Sequence, residues 1–341
     1  MAEDLEHGSR GANGAAPNAP RISVVISSRD RPSYLAACIS SVREQQCDDL
    51  EIIVADSASR SADLRVVAAD LATGYVRAEQ PGLSHARNCG ALAARGEFIV
   101  FLDDDVTLAS GCLEALRAQF ADPRVAAVVA RILAVDGDPT ARETFEAFGG
   151  FDPGAEGRVV DQSTPHWFEL VNFGGLGSGA VFALRHSVLA GWGGFDERLG
   201  RGSLLGAGEE MHAYFSLVRA GHRVVYTPAA VAHHPAPASL AELRRRILDG
   251  AATATAYMVL LYVEYPEHRR AVVRYALESL RGQRRVWRPK PAAARAAVVP
   301  RWRERLAWLT GPWRYAWMRV ATIGRTRFDA GRAPRPASHG S

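Results

Sequence analysis

Cysteine is scarce in this 341-residue chain: four residues, at positions 38, 47, 89 and 112, with no C-x-x-C pair and no metal-ligand spacing. That excludes a disulfide scaffold and a thiolate metal site, and predicts reduced thiols in a cytoplasmic protein. Long apolar runs are missing too. The longest uncharged stretch, residues 250–263, is too short and too rich in Ala and Thr to span a bilayer. Residues 1–20 carry acids, Gly, Ala and Pro with no apolar segment; they read as disordered rather than as a signal peptide. No internal repeat is visible, which excludes a solenoid. What remains is an ordinary globular composition, 48% hydrophobic and 23% charged, on a chain long enough for a sizeable core.

Charge is unevenly placed. Residues 238–341 hold 21 Lys and Arg against 7 Asp and Glu, whereas residues 1–237 hold 20 against 30. The two parts therefore do different electrostatic work. Five of the seven Trp (Trp287, Trp302, Trp308, Trp313, Trp317) lie in the basic part.

The acidic part alternates predicted strands and helices. Strands are expected at 22–27, 50–55, 74–76, 98–102 and 125–133, with helices at 32–45, 61–72, 84–95 and 111–120 between them. Pro32 opens the first helix, and Ser84 is the expected cap of the third. Such alternation means a mostly parallel sheet with crossover helices. Residues 136–173 read as an irregular excursion over a site. Further strands are expected at 178–184, 222–226 and 230–232, with a helix at 209–220. After Pro237 the chain reads as helical over 240–261 and 266–280. A Pro/Ala/Arg linker follows at 287–300, then a helix over 301–323 broken at Gly311-Pro312. The expected domains are a disordered 1–20, a catalytic 21–237, a basic helical 238–330 and a disordered tail, 331–341.

One run carries the chemistry. Phe98-Ile99-Val100-Phe101-Leu102 has no polar break, as a strand buried on both faces requires. Asp103-Asp104-Asp105 follows at its carboxyl end, where open α/β sheets bind ligands. Clustered like charges there are costly unless a cation neutralises them, and a hard divalent ion shared with substrate phosphates meets that need. Alternation along extended chain lets Asp103 and Asp105 share a face while Asp104 points away. A solvated acidic turn is the competing reading of the run alone.

Other segments point the same way: Val24-Val25-Ile26-Ser27-Ser28-Arg29-Asp30-Arg31, Glu51-Ile52-Ile53-Val54-Ala55-Asp56, Ala86-Arg87-Asn88-Cys89-Gly90, Phe101-Leu102-Asp103-Asp104-Asp105, Gly194-Phe195-Asp196-Glu197 and Gly208-Glu209-Glu210. In this order they resemble family 2 glycosyltransferases over residues 22–234. The resemblance implies the glycosyltransferase-A fold, a Rossmann-like, mostly parallel sheet flanked by helices. Here that fold would carry a C-terminal helical extension. It also implies a metal-dependent, inverting transfer from a nucleotide-sugar to a hydroxyl acceptor. Asp56 would accept a hydrogen bond from the donor's base, and Ser27 and Arg29 would line the nucleotide pocket. Arg87 would meet the nucleotide or its diphosphate. Asp103 would touch the ribose or the metal, with Asp104 counted among the donor-binding residues. Asp105 would ligate Mn²⁺ or Mg²⁺, and His233 or His234 would be the other ligand, His233 preferred. Glu210 stands where the family carries an Asp as general base, with Glu209 beside it as the alternative.

In the basic tail, Trp302, Leu306, Leu309, Trp313 and Trp317 recur at helical spacings between arginines. Two readings stand level: an amphipathic segment on an anionic membrane at its inner face, which would suit a lipid-linked or cell-surface glycan acceptor, or a subdomain packed on the acidic part. No nucleic-acid recognition motif accompanies the charge. Two competing functions are a nucleotidyltransferase, against which residues 27–32 hold neither Gly nor Lys, and a non-catalytic nucleotide- or membrane-binding scaffold, against which the acids at 103, 105 and 210 are intact. The sugar, the base and the acceptor are not legible.

Overall fold

A computed structural model describes residues 21–281 and 298–321. The expectations for residues 1–20, the 287–297 part of the linker, residues 322–330 and the tail 331–341 lie outside the described residues.

Among the described residues nine strands form one sheet. Three parallel strands, β1 (Ile22–Ser28), β2 (Leu50–Asp56) and β4 (Phe98–Asp103), make its centre, and β3 (Gly74–Arg77) extends it beside β2. Side chains alternate between faces, so each strand feeds two separate cores. Val25, Ile99 and Phe101 enter one, with α3 (Leu83–Ala93). Val24, Ile26, Val100 and Leu102 enter the other, with α1 (Pro32–Arg43) and α2 (Asp63–Leu71). This is why β4 reads as an unbroken apolar run and β1 and β2 carry the apolar runs 24–26 and 52–55: both faces are covered. Each fully buried Val, Leu, Ile or Phe contributes roughly 1.5–3 kcal/mol.

The sheet then turns mixed, as mostly parallel sheets of this class do. After β5 (Thr107–Leu108) and α4 (Cys112–Ala118) the chain enters β6 (Val125–Val135). The stretch expected to be irregular carries α5 (Pro139–Ala147), β7 (Arg158–Val160) and α6 (Trp167–Asn172). Short elements of this kind hide in Gly- and Pro-rich sequence because each is fixed by tertiary contact; Asp138 caps α5 by accepting from Ala141 N–H. Strand β8 (Val181–Arg185) pairs antiparallel with both β4 and β6. After α7 (Leu189–Trp192) and α8 (Glu209–Arg219) comes β9 (Arg223–Pro235), one long strand where two pieces were expected. Its register against β6 slips between Ala130 and Arg131, and this irregularity at Pro228 imitates a break.

Among the described residues three long C-terminal helices complete the fold: α9 (Leu240–Glu264), α10 (Arg269–Arg281) and α11 (Arg301–Ala321). Helix α9 is long and apolar enough, by length and composition alone, to cross a membrane; the uncharged stretch within it hid that. It buries Leu243, Ala252, Ala256, Tyr257, Leu260 and Leu261 within the protein. Helix α11 runs through the expected break, with Pro312 inside it. Gly311 explains the tolerance, because a residue without Cβ relieves the clash a proline imposes on its predecessor. Ser84 does not cap α3. Gly82 holds that place, and the buried Ser84 hydroxyl donates to Leu199 C=O at 2.7 Å.

Candidate active site

Strand register builds the site. Ser27 lies opposite Asp103 and Ser28 opposite Asp56, so three strands end at one edge of the sheet. Gly179 and Ala180, which lead into β8, return to that edge, where Asp103 N–H donates to Ala180 C=O at 3.1 Å. Helix α8 brings Glu209 and Glu210 to it, and the end of β9 brings His234. Around these residues lies a crevice of ≈ 610 Å³, lined also by Arg31, Arg201 and Arg246.

Asp103, Asp105 and His234 converge there, each offering a ligand atom within 4.8 Å of the others. His234 Nδ1 lies 2.9 Å from Pro235 C=O. That carbonyl can only accept, so Nδ1 carries the proton and the lone pair of the neutral ring sits on Nε2. Nε2 faces Asp105 Oδ1 at 3.4 Å. Two carboxylates and a correctly oriented imidazole suit Mn²⁺ or Mg²⁺ by donor type. Another crevice-lining residue, Ser27, has a buried hydroxyl without a partner. The residues present fit a divalent cation beside a phosphorylated ligand.

Arginines balance the acids. Arg31 spans Asp104 Oδ1 and Asp105 Oδ2, both at 2.8 Å. Burial pushes the Asp105 carboxyl up, but His234, Arg31 and Arg201 outweigh it and hold the group below its ordinary range. Asp104 behaves oppositely. Its burial, together with Asp105 and Asp103, raises it to about 6 against the pull of Ser28 and Arg31.

Arg87 is buried and joins the two halves of the site. It donates to Asp103 Oδ1 at 2.8 Å, to Gly179 C=O at 3.1 Å and to Glu209 Oε1 at 3.3 Å. Two of these acceptors are anionic, which offsets part of the cost of a buried guanidinium. Glu209 is thereby engaged and Glu210 left for chemistry. Burial and the neighbouring Glu209 charge push Glu210 up to about 8. Gly179 makes room for it, since a Cβ there would stand 2.4 Å from Glu210 Cβ.

The expected site residues thus separate into groups. Ser27, Arg87, Asp103, Asp105, Glu209, Glu210 and His234 line one crevice. His233 does not join the metal-binding group. It is paired with Thr107 and Leu133, and alternation sends it to the opposite face from His234. Asp56 is closed off: its side chain is fully buried and accepts from Tyr75 Oη at 2.5 Å, Arg77 Nη1 at 2.8 Å and Ser59 N–H at 2.8 Å. A donor base could reach it only after Arg77 and Tyr75 move. Asp104 touches the crevice but is spent on Ser28, at 2.6 Å, and Arg31. Arg29 lines the rim, largely exposed, and makes only a long contact to Asp30.

Several contributors went unread. Arg31 stands in the same motif as Arg29, and its proximity to Asp104 and Asp105 is visible only in three dimensions. Asn88 holds Phe195 at both backbone groups, accepting from N–H at 2.8 Å and donating to C=O at 2.9 Å. The Phe195 ring in turn lies 5.4 Å from the Arg87 guanidinium. Two motifs that looked separate are therefore one clamp on Arg87. Gly179 left a faint sequence trace, a glycine at a strand start.

The chain is similar to known glycosyltransferases. Residues 23–178 match the family model "Glycosyl transferase family 2". The pre-mycofactocin glycosyltransferase of Mycobacterium tuberculosis H37Rv is 32% identical over 228 residues, 64% of this chain and 44% of that protein. The GalNAc(5)-diNAcBac-PP-undecaprenol beta-1,3-glucosyltransferase of Campylobacter jejuni is 36% identical over 104 residues, 28% of this chain and 33% of that protein. The chain spans less than half the length of these relatives. A mannosyltransferase from Pyrobaculum calidifontis, solved with GDP-Man and Mn²⁺, superposes with a TM-score of 0.51 at 19% identity. The match covers 92% of this chain and 77% of that one, and it establishes a shared fold.

Proposed function

We propose that this chain, a member of glycosyl transferase family 2 through its residues 23–178, moves a sugar from a nucleotide-sugar to a hydroxyl acceptor with inversion at the anomeric carbon. The observation that carries the reading is one crevice holding both halves of the chemistry: Asp103, Asp105 and His234 on one side, Glu210 on the other. The three metal-binding side chains would hold Mn²⁺ or Mg²⁺, which when bound supplies positive charge to the departing nucleoside diphosphate. Arg31, Arg201 and Arg246 line the same crevice and favour an anionic donor. Arg87 fixes Asp103 and Glu209 in place. Glu210 takes the acceptor hydroxyl's proton at its carboxylate as that oxygen attacks. Its raised pKa of about 8 makes it a stronger base than an ordinary carboxylate.

The same reading seats α11 on a membrane. Trp302, Leu306, Leu309, Trp313, Trp317 and Val320 are all exposed and recur every third or fourth residue, while Glu304, Gly311, Tyr315 and Met318 on the other side are buried. Arg301, Arg303, Arg305, Arg314 and Arg319 flank the apolar stripe. An apolar face turned outward between arginines fits an anionic lipid interface.

The test is release of nucleoside diphosphate from a panel of UDP-, GDP- and dTDP-sugars, with Mn²⁺, with Mg²⁺ and with chelator. Metal-dependent release is expected from one donor class, and Glu210→Gln should lower transfer about 10²–10⁴-fold while sparing donor binding. No release from any donor would reject the assignment; near wild-type transfer by Glu210→Gln would move the base elsewhere.

A further inference from the structure

A second cavity of ≈ 530 Å³ lies among α9, α10, α11 and the 145–174 excursion. That volume suits one bound organic molecule, for which pockets run roughly 300–1,000 Å³. It is not an isolated void. Phe145 and Arg246 line both it and the crevice, and Met211, the residue after Glu210, lines it as well. One end therefore borders the crevice that holds Glu210.

The wall changes character away from that end. Phe148, Phe173, Ile247, Met258 and Trp308 give it a mainly apolar surface, unsuited to a diphosphate. Leu280 also lines the cavity and is 65% exposed, so the space reaches the surface at an apolar residue. Trp308 belongs to α11, the helix with the outward apolar stripe. A further lining residue, Ser279, has a buried hydroxyl without a partner. The cavity thus runs from a charged crevice to an apolar surface.

We infer that this cavity holds the apolar chain of a lipid-linked acceptor whose hydroxyl-bearing head reaches Glu210. The inference rests on the sugar-transfer reading and adds the acceptor's class to it. A chain is favoured over a compact ring system because the space continues to the surface at the exposed Leu280, where the rest of a lipid would stay. Binding energy from the chain can then position the reacting hydroxyl.

Gly250 allows a direct test. It lines the cavity, and a Cβ added there meets no atom within 4 Å. In the middle of α9, replacing glycine also favours the helix. Gly250→Phe and Ala254→Phe, which fill the space from neighbouring turns, would be compared with the unaltered protein by calorimetry. The titrants are dodecyl β-glucoside below its micelle concentration, methyl β-glucoside and 2-naphthyl β-glucoside. Mn²⁺ with nucleoside diphosphate is titrated in parallel as a check on folding and on the crevice. The expected result is dodecyl glucoside binding at least 10-fold tighter than methyl glucoside, an advantage lost in both variants while nucleotide binding is unchanged. Equal affinity for dodecyl and methyl glucosides would overturn the inference, as would unchanged dodecyl binding in the two variants. Naphthyl glucoside binding tighter than dodecyl would replace the chain with a ring system. Chain binding with no sugar release from any nucleotide-sugar would overturn the acceptor role and would locate the failure in the sugar-transfer reading.

Discussion

At the scale of single residues, charge compensation decides which acids are free to act. Asp104 is neutralised by Arg31 and Ser28, Glu209 is held by Arg87, and Asp56 is sealed by Tyr75 and Arg77. Asp103 and Asp105 also carry an arginine partner each, Arg87 and Arg31, yet they converge with His234 in the crevice, and Glu210 faces it without an ion pair among the described residues. Glu210 should reveal itself by pH. With its pKa near 8 in the free protein, it is protonated and inactive as a base below that value, so kcat/KM should rise through about pH 8. The limb should vanish in Glu210→Gln, and its persistence there would exclude Glu210. Stability runs the other way. The folded state keeps a proton that the unfolded chain releases near 4.5, so this group's contribution to stability is fully present below that value and is lost as pH rises toward 8. In metal-free protein, melting temperature should fall across this window more steeply than in Glu210→Gln. At this scale the aspartates were legible because a buried strand ending in acids is unusual. The choice between His233 and His234 was not, because it depends on the register of β9 against β5 and β6.

Among the elements, the decisive contact is α9 against α11. A Cβ on Gly311 would stand 2.0 Å from Thr255 Oγ1 and 2.5 Å from the Ala256 backbone N. Only glycine lets the two helices approach so closely. Gly311→Val should therefore cost about 1–3 kcal/mol, the usual price of overpacking, read as a shift in denaturation midpoint; an unchanged midpoint would mean that the contact is looser than described. The outward face of α11 makes a separate prediction. Trp313→Glu with Trp317→Glu should abolish cosedimentation with anionic vesicles without altering the melting temperature, whereas undiminished binding would remove the membrane seat. The stripe was legible as a spacing of aromatic and aliphatic residues, but its direction was not, because periodicity fixes an axis and says nothing of which side is covered. The same limit made Gly311-Pro312 read as a break rather than a crossing point. Elements α5, β7 and α6 were invisible for a related reason, since their local sequence is held in shape by the sheet and helices around it.

For the whole molecule, an acidic sheet domain and a basic helical region share one construction. The sheet places strand ends in register, which supplies the metal-binding group; the helices close a second space against it and turn an apolar stripe outward. The parallel centre was readable because strands buried on both faces leave unbroken apolar runs. The mixed edge was not, because β8 and β9 gain their partners from residues distant in sequence. The account rests on a divalent ion binding between Asp103, Asp105 and His234, and one measurement bears on it most directly: calorimetric titration of Mn²⁺ with nucleoside diphosphate into the protein and into Asp105→Ala and His234→Ala. Saturable, mutually dependent binding of ion and nucleotide is expected in the unaltered protein, weakened at least 10-fold in His234→Ala and lost in Asp105→Ala. Nucleotide binding that ignores the ion, or equal affinity in all three proteins, would contradict it.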